Sequence, residues 1–154
     1  GDKQALITNL ETRKKARDHL SKGGSIIIFP SGTVSTTLKF YEKTKKAFDP
    51  EWKKFTSRLI KQTDPNIVPI YFYGVNSIKF QLASHLGEMF RASLIFHEVK
   101  RRIGSEFKFN VGDSFKYSEL GLDLSNQELA DYLRTKTYLL NSDLCEAPPY
   151  GLDI

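Results

Sequence analysis

The sequence predicts an α/β fold in which a layered sheet is flanked by helices. Three observations lead there. Ser25-Ile26-Ile27-Ile28-Phe29 is a continuous apolar run of strand length, and Ile67 to Tyr73 is a second. Around them, apolar residues recur at helical spacing behind capping signals. Strands alternating with helices indicate a layered α/β domain.

The elements follow in order. Asn9 is a candidate N-cap for a helix running to about Lys22, with Thr8 and Glu11 as an alternative capping box, and Gly23-Gly24 stops it. The run 25–29 reads as a strand buried on both faces of the sheet, and Pro30-Ser31-Gly32-Thr33 turns it. Residues 36–50 are polar and basic and read as a loop, with Lys39, Lys43, Lys45 and Lys46. Asp49-Pro50 is expected to open the next helix, whose apolar face carries Trp52, Phe55, Leu59 and Ile60. Asp64-Pro65-Asn66 closes it. In the second strand, Pro69 implies an edge, a bulge or a special backbone position, and Gly74 ends the run.

Two helical segments are expected near 77–86 and 88–99. The first carries Ile78, Leu82 and Leu86, and the second Met89, Ala92, Phe96 and Val99. Residues 106–111 alternate, placing Phe107, Phe109 and Val111 on one side of a half-buried strand. Ser125 with Glu128 forms a capping box for a last helix to about Leu140. Residues 1–145 read as one domain or most of one, and 146–154 as a loose Pro-rich tail.

Composition narrows the class. At 154 residues, 40% hydrophobic and 27% charged, the chain can bury roughly two-thirds of its unfolded surface. No apolar run approaches the ~20 residues of a membrane-spanning helix, and the polar start is not a signal peptide. The first residue is Gly and not Met, which leads to the expectation of a processed chain or a fragment. The single cysteine, Cys145, excludes an intrachain disulfide, suits a reducing compartment, and reads as a free structural thiol. Residues 1–64 hold 14 Lys/Arg against 7 Asp/Glu, whereas residues 65–154 hold 9 against 11. The basic half could face anionic lipid, an acidic carrier protein or nucleic acid, or simply be a solvated helical surface.

The strongest chemical feature is the turn after the first apolar run. Phe29-Pro30-Ser31-Gly32 is followed by Thr33, Ser35, Thr36 and Thr37. Ligands of open α/β sheets sit at strand carboxyl ends, and backbone N–H groups with hydroxyls in such a turn bind anions. An ordinary Ser/Thr-rich turn would look the same. A nucleotide-binding P-loop is excluded, because Gly-Lys-Ser/Thr is absent. His19, His85 and His97 lack metal-ligand spacing, so no metal site is expected. The aromatic residues fall on apolar faces instead of interleaving with cations, which argues against nucleic acid.

Phe29-Pro30-Ser31-Gly32-Thr33-Val34-Ser35 resembles the Phe-Pro-x-Gly-Thr-x-Ser block of the lysophospholipid and glycerol-3-phosphate acyltransferase superfamily. Val68-Pro69-Ile70 resembles that domain's later Val-Pro-Val block. Gly23-Gly24, Trp52, Tyr71 through Ser77 and Phe80-Gln81-Leu82-Ala83-Ser84 are similar to a bacterial branch containing hemolysin-like proteins and ornithine-lipid acyltransferases. The likeness runs from about Asn9 to Leu140.

The resemblance implies a glycerol-phosphate acyltransferase-like fold and transfer of an acyl group from acyl-CoA or acyl-carrier protein to a lysolipid-type hydroxyl. It implies no further cofactor. In the family a His-x-x-x-x-Asp motif supplies the general base and its orienting carboxylate. The residues five after His19, His85 and His97 are Gly24, Phe90 and Arg102, so the motif is absent. It stands upstream of the Phe-Pro block in the family, which leads to the expectation of an N-terminally truncated domain, inactive alone. The substrate-binding residues implied are Phe29, Pro30, Ser31, Gly32, Thr33, Ser35, Lys39, Val68, Pro69 and Asn76, with Ser77 beside the last. Asn76 and Ser77 equally suit a turn and a helix cap. Ser31 and Val34 stand where many members have Glu and Arg, which moves the expected acceptor away from simple glycerol phosphate. A peripheral seat on the cytoplasmic, anionic membrane face is expected.

Overall fold

Gly23 and Gly24 stop the first helix where the sequence places the stop. In the computed structural model, which describes residues 2–37, 46–144 and 148–151, Gly23 adopts φ +81° and its N–H bonds the Leu20 carbonyl at 2.9 Å. The Gly24 N–H bonds the His19 carbonyl at 2.9 Å. This left-handed closure satisfies carbonyls that the helix end would leave bare. The helix itself, α1, spans Asp2–Ser21. It starts seven residues before Asn9, so Asn9 lies inside it and is not its cap.

The fold is mixed α/β. Among the described residues it contains five α-helices and one two-stranded antiparallel sheet. After α1 come α2 (Lys54–Thr63), β1 (Ile70–Phe72), α3 (Ile78–Leu86), α4 (Glu88–Arg102), β2 (Phe109–Val111), a short 3-10 turn and α5 (Asn126–Tyr138). Among the described residues no helix is long and apolar enough to cross a membrane.

Two expectations about the first apolar run are corrected. Residues 25–29 form no strand and are not buried on two faces: Ile27 is 85% exposed and Phe29 73%. A doubly buried strand needs a hydrogen-bonded neighbour on each edge and a layer over each face. The described residues supply neither.

The helix expected at Asp49-Pro50 begins later, at Lys54, after Lys53 as its N-cap. The Asp49 carboxylate is turned elsewhere, onto Ser35 and Trp52. Helix α2 ends at Asp64, whose φ of +40° lets its N–H reach the Ile60 carbonyl at 2.8 Å.

Helices α2 and α5 pack together and make the core. Trp52, Ile60, Leu129, Ala130 and Leu133 are buried as one cluster, with Ile67, Phe115 and Tyr132 against its rim. Each large side chain taken out of water here contributes about 1.5–3 kcal/mol. The start of α5 is as expected. The Ser125 hydroxyl accepts from the Glu128 N–H at 3.2 Å, and the Glu128 carboxylate accepts from the Ser125 N–H at 2.7 Å.

Strands β1 and β2 pair with Ile70 opposite Val111, Tyr71 opposite Asn110 and Phe72 opposite Phe109. Pro69 sits just before β1 with its carbonyl accepting from Gly112 at 2.9 Å, a position that needs no N–H from the proline. The side expected to be buried is the exposed one. Phe107, Phe109 and Val111 face solvent with Ile70 and Phe72, while Asn110 and Tyr71 turn inward.

Pro148 to Gly151 were expected in a loose tail, but these residues are tied to the body. Arg134, itself buried, donates to the carbonyls of Pro148 at 2.8 Å and Pro149 at 2.6 Å. The Gly151 N–H bonds the Asp49 carbonyl at 2.8 Å. Cys145 and the last three residues lie outside the described residues.

Candidate functional site

The turn after the first apolar run is built by short-range hydrogen bonds. The Gly32 N–H closes on the Phe29 carbonyl at 3.1 Å, and Gly32 holds φ +70°. That is left-handed backbone, which a residue without Cβ adopts freely. Ser31 is buried, and its hydroxyl donates to the Thr33 carbonyl at 2.8 Å. Phe29 and Gly32 remain at the surface, with Pro30 and Thr33 half-buried.

Beneath the turn lies a polar brace. Ser35 and the Trp52 indole both donate to the Asp49 carboxylate, the latter at 2.9 Å. The Asp49 N–H bonds the Tyr138 hydroxyl at 2.7 Å, and the Asp49 carbonyl accepts from Arg134 at 2.9 Å. Burial, reinforced by the Asp49 charge, pushes the Tyr138 phenol well above its usual pKa, so it stays a neutral acceptor for this N–H. The Lys53 N–H reaches the Pro30 carbonyl at 3.0 Å. Thr36 pairs with Phe48 through both backbone bonds, and the Thr37 N–H bonds Gln81 of α3 at 3.0 Å.

The hydroxyls nominated for anion binding are therefore largely engaged inside the protein. Ser31 and Ser35 are committed to the bonds above, and Thr36 and Thr37 are buried. What the turn offers outward is the exposed Phe29 ring and the backbone at Gly32. Lys39 falls outside the described residues.

The second block occupies a different contact group. Pro69 is buried against Gly112, where any added Cβ would come within 2.9 Å of both Pro69 and Leu140. Val68 is exposed. Asn76 is half-buried and leads into Ser77, which caps α3 by accepting from the Phe80 N–H at 3.2 Å. Ser77 also donates through its N–H, at 3.0 Å, and its hydroxyl to Glu98 of α4. Burial acts to raise the Glu98 pKa, but the bonds from Ser77 and Arg101 outweigh it and hold the carboxyl below its ordinary value. The described contacts thus join residues 29–35 to Asp49 and Trp52, and join Pro69 to Gly112 and Leu140.

One open cleft was not foreseen. It holds about 690 Å³ between the 46–48 segment, the end of β1, the end of α4 and residues 141–144. Phe48, Tyr71 and Tyr73 form its aromatic wall; the two tyrosine rings meet edge to face at 5.0 Å. Lys46, Arg101 and Arg102 bring positive charge, offset by Glu106 and Asp143. Arg102 is fixed by a 2.6 Å bond to the Val75 carbonyl. Two sequence signals were available: the period-two spacing of Tyr71 and Tyr73, and the Lys100-Arg101-Arg102 cluster. Neither says that the two converge.

Among the described residues no group of His, Cys, Asp and Glu is placed to hold a metal ion. Compared with known proteins, the chain matches no family model, no curated protein and no solved structure.

Proposed function

We propose that this chain is the acceptor-side part of a thioester-dependent O-acyltransferase. In this reading the protein transfers an acyl group from acyl-CoA or acyl-carrier protein to a lysolipid-type hydroxyl. A His-x-x-x-x-Asp pair elsewhere in a longer protein supplies the general base, and the domain sits peripherally on the inner membrane face. The layered acyltransferase-like fold belongs to the same proposal.

The observation that carries the reading is the Phe29–Ser35 turn. Its outer backbone is open at Gly32, while its underside is braced by Asp49 and Trp52. A braced turn with an exposed glycine lets a ligand approach the backbone closely at little ordering cost. The resemblance of Phe29 through Ser35 to an acceptor-binding block supplies the chemistry. Acyl-transfer assays of the full-length protein, with lyso-ornithine lipid and lysophosphatidic acid as acceptors, test it. Transfer to the first over the second is the expected result, and no transfer to any lysolipid hydroxyl refutes it.

A second reading is a non-catalytic lipid- or anion-binding module. The cleft beside Tyr71 and Tyr73 favours it, because aromatic walls and the fixed Arg102 suit an amphiphile with an anionic end. A full-length protein without the His-Asp pair that still binds lysolipid would support this reading over the enzyme.

A further inference from the structure

Helices α3 and α4 each carry an apolar stripe on their outward side. In α3, Ile78, Leu82 and Leu86 recur every fourth residue and are all exposed, Ile78 at 82%. Phe80, Gln81, Ala83 and Ser84, on the opposite side, are buried, so the exposed stripe is a second apolar face and not the one that packs inward. In α4 and its last cap, Met89, Phe96 and Ile103 recur every seventh residue at 84%, 82% and 77% exposure. Ala92 and Val99 fill the same exposed stripe. At about 100° per residue, Phe96 lies nearly opposite Glu98. Glu98 is the side chain that turns inward, 4% exposed, onto Ser77 and Arg101.

Charge is sorted in the same way. Lys79 and Lys100 are exposed on the hairpin, whereas Glu98 is buried beneath it and paired with Arg101. An outward surface that is apolar and cationic, with the Glu98 carboxylate withdrawn, suits a boundary offering both acyl chains and anionic head groups. Lysine stems can reach from the apolar level to the head groups. The helices are too short and too polar to cross a bilayer, so they would lie along its plane.

We propose that the α3–α4 hairpin is the surface by which the chain docks on an anionic lipid bilayer. The proposal rests on the lipid-acylating reading and adds where the lipid is met. The seat is not the basic α1, where Lys14, Lys15 and Arg17 are exposed. It is a hairpin in the half of the chain where acids outnumber cations.

Co-sedimentation with vesicles of about 7:3 phosphatidylcholine and phosphatidylglycerol, and of phosphatidylcholine alone, tests it. The unsubstituted chain should bind the anionic vesicles. Ile78→Ser with Phe96→Ser should lower partitioning at least about tenfold. Lys79→Glu with Lys100→Glu should abolish the preference for anionic lipid. Lys14→Glu with Lys15→Glu should change binding less than about twofold. All six positions are exposed, and circular dichroism checks that each variant is folded. Hairpin variants that bind like the parent while the α1 variant loses binding would overturn the proposal and leave a lipid-facing enzyme standing. So would a dimer in lipid-free buffer that Phe96→Ser dissolves without changing vesicle binding, since a second copy would then cover this face. A parent chain that binds neither vesicle also overturns it. Acyl transfer by the full-length protein in detergent micelles is a separate readout, so failure of docking and failure of the enzymatic reading are distinguishable.

Discussion

Ser35 donates its hydroxyl hydrogen bond to Asp49 across 14 residues of chain. The same carboxylate receives the Trp52 indole N–H. One acidic side chain therefore ties the turn after Phe29 to the segment that leads into α2 and to a tryptophan of the core. Asp49→Ala leaves two partly buried donors without their charged acceptor and should cost about 2–3 kcal/mol. A double-mutant cycle with Ser35→Ala, read by urea unfolding, should give a coupling of about 1 kcal/mol. Additive effects would show that the bond contributes nothing to the brace.

Arg134 does a similar task for residues 148–151. It donates to the Asp49, Pro148 and Pro149 carbonyls, and its guanidinium lies over the Tyr150 ring at 4.5 Å. Arg134→Met keeps bulk but leaves these carbonyls unpaired, and should destabilise by about 2–4 kcal/mol. Limited proteolysis should then cut near Pro149 well before the rest of the chain. Unchanged resistance would mean that the aromatic and backbone contacts suffice.

Glu98 makes part of the stability depend on pH. Its ordinary pKa is 4.5 and its folded value is lower. The folded state therefore favours the carboxylate. The resulting stability is fully present above about pH 4.5 and is lost as pH falls through the lowered folded value. Glu98→Gln should flatten that part of the profile in chemical unfolding across the acid range. The variant should also bring its midpoint near pH 7 closer to that of the parent at low pH. Parallel profiles for parent and variant would remove Glu98 as the titrating group.

Gly32 separates backbone conformation from ligand approach. Its φ of +70° makes any side chain strained, yet an added Cβ meets nothing within 4 Å. Gly32→Ala should cost about 1–2 kcal/mol from the left-handed conformation alone. Gly32→Leu should cost a similar amount, but in the full-length protein it should abolish acyl transfer by standing over the open backbone. Equal activity of the two variants would detach the turn from acceptor binding.

Several features were legible because they depend on neighbours in sequence. The Gly23-Gly24 stop, the Ser77 cap and the Ser125–Glu128 box are each set by bonds between residues no more than five apart in the chain. Pro69 beside a strand follows from its missing N–H. The alternation of Phe107, Phe109 and Val111 correctly puts them on one side of the chain.

What stayed illegible was which side faces in. Periodicity groups residues onto a face, but burial of that face depends on what is packed against it. Ile78, Leu82 and Leu86 share a stripe by spacing alone, and only the packing of α3 on α4 turns it outward. Residues 25–29 have strand composition, but strand pairing requires a second backbone, and none of the described residues provides one. Asp49 beside Pro50 suits a helix cap locally, whereas Ser35, Trp52 and Tyr138 draw it into a brace spanning 103 residues of chain from Ser35 to Tyr138. Local hydrogen-bond chemistry was thus determined by the sequence itself. The inside and outside of each element, and the convergence of Tyr71, Tyr73 and Arg102 on one cleft, were decided by tertiary packing, because solvent exposure belongs to a pair of surfaces and not to one.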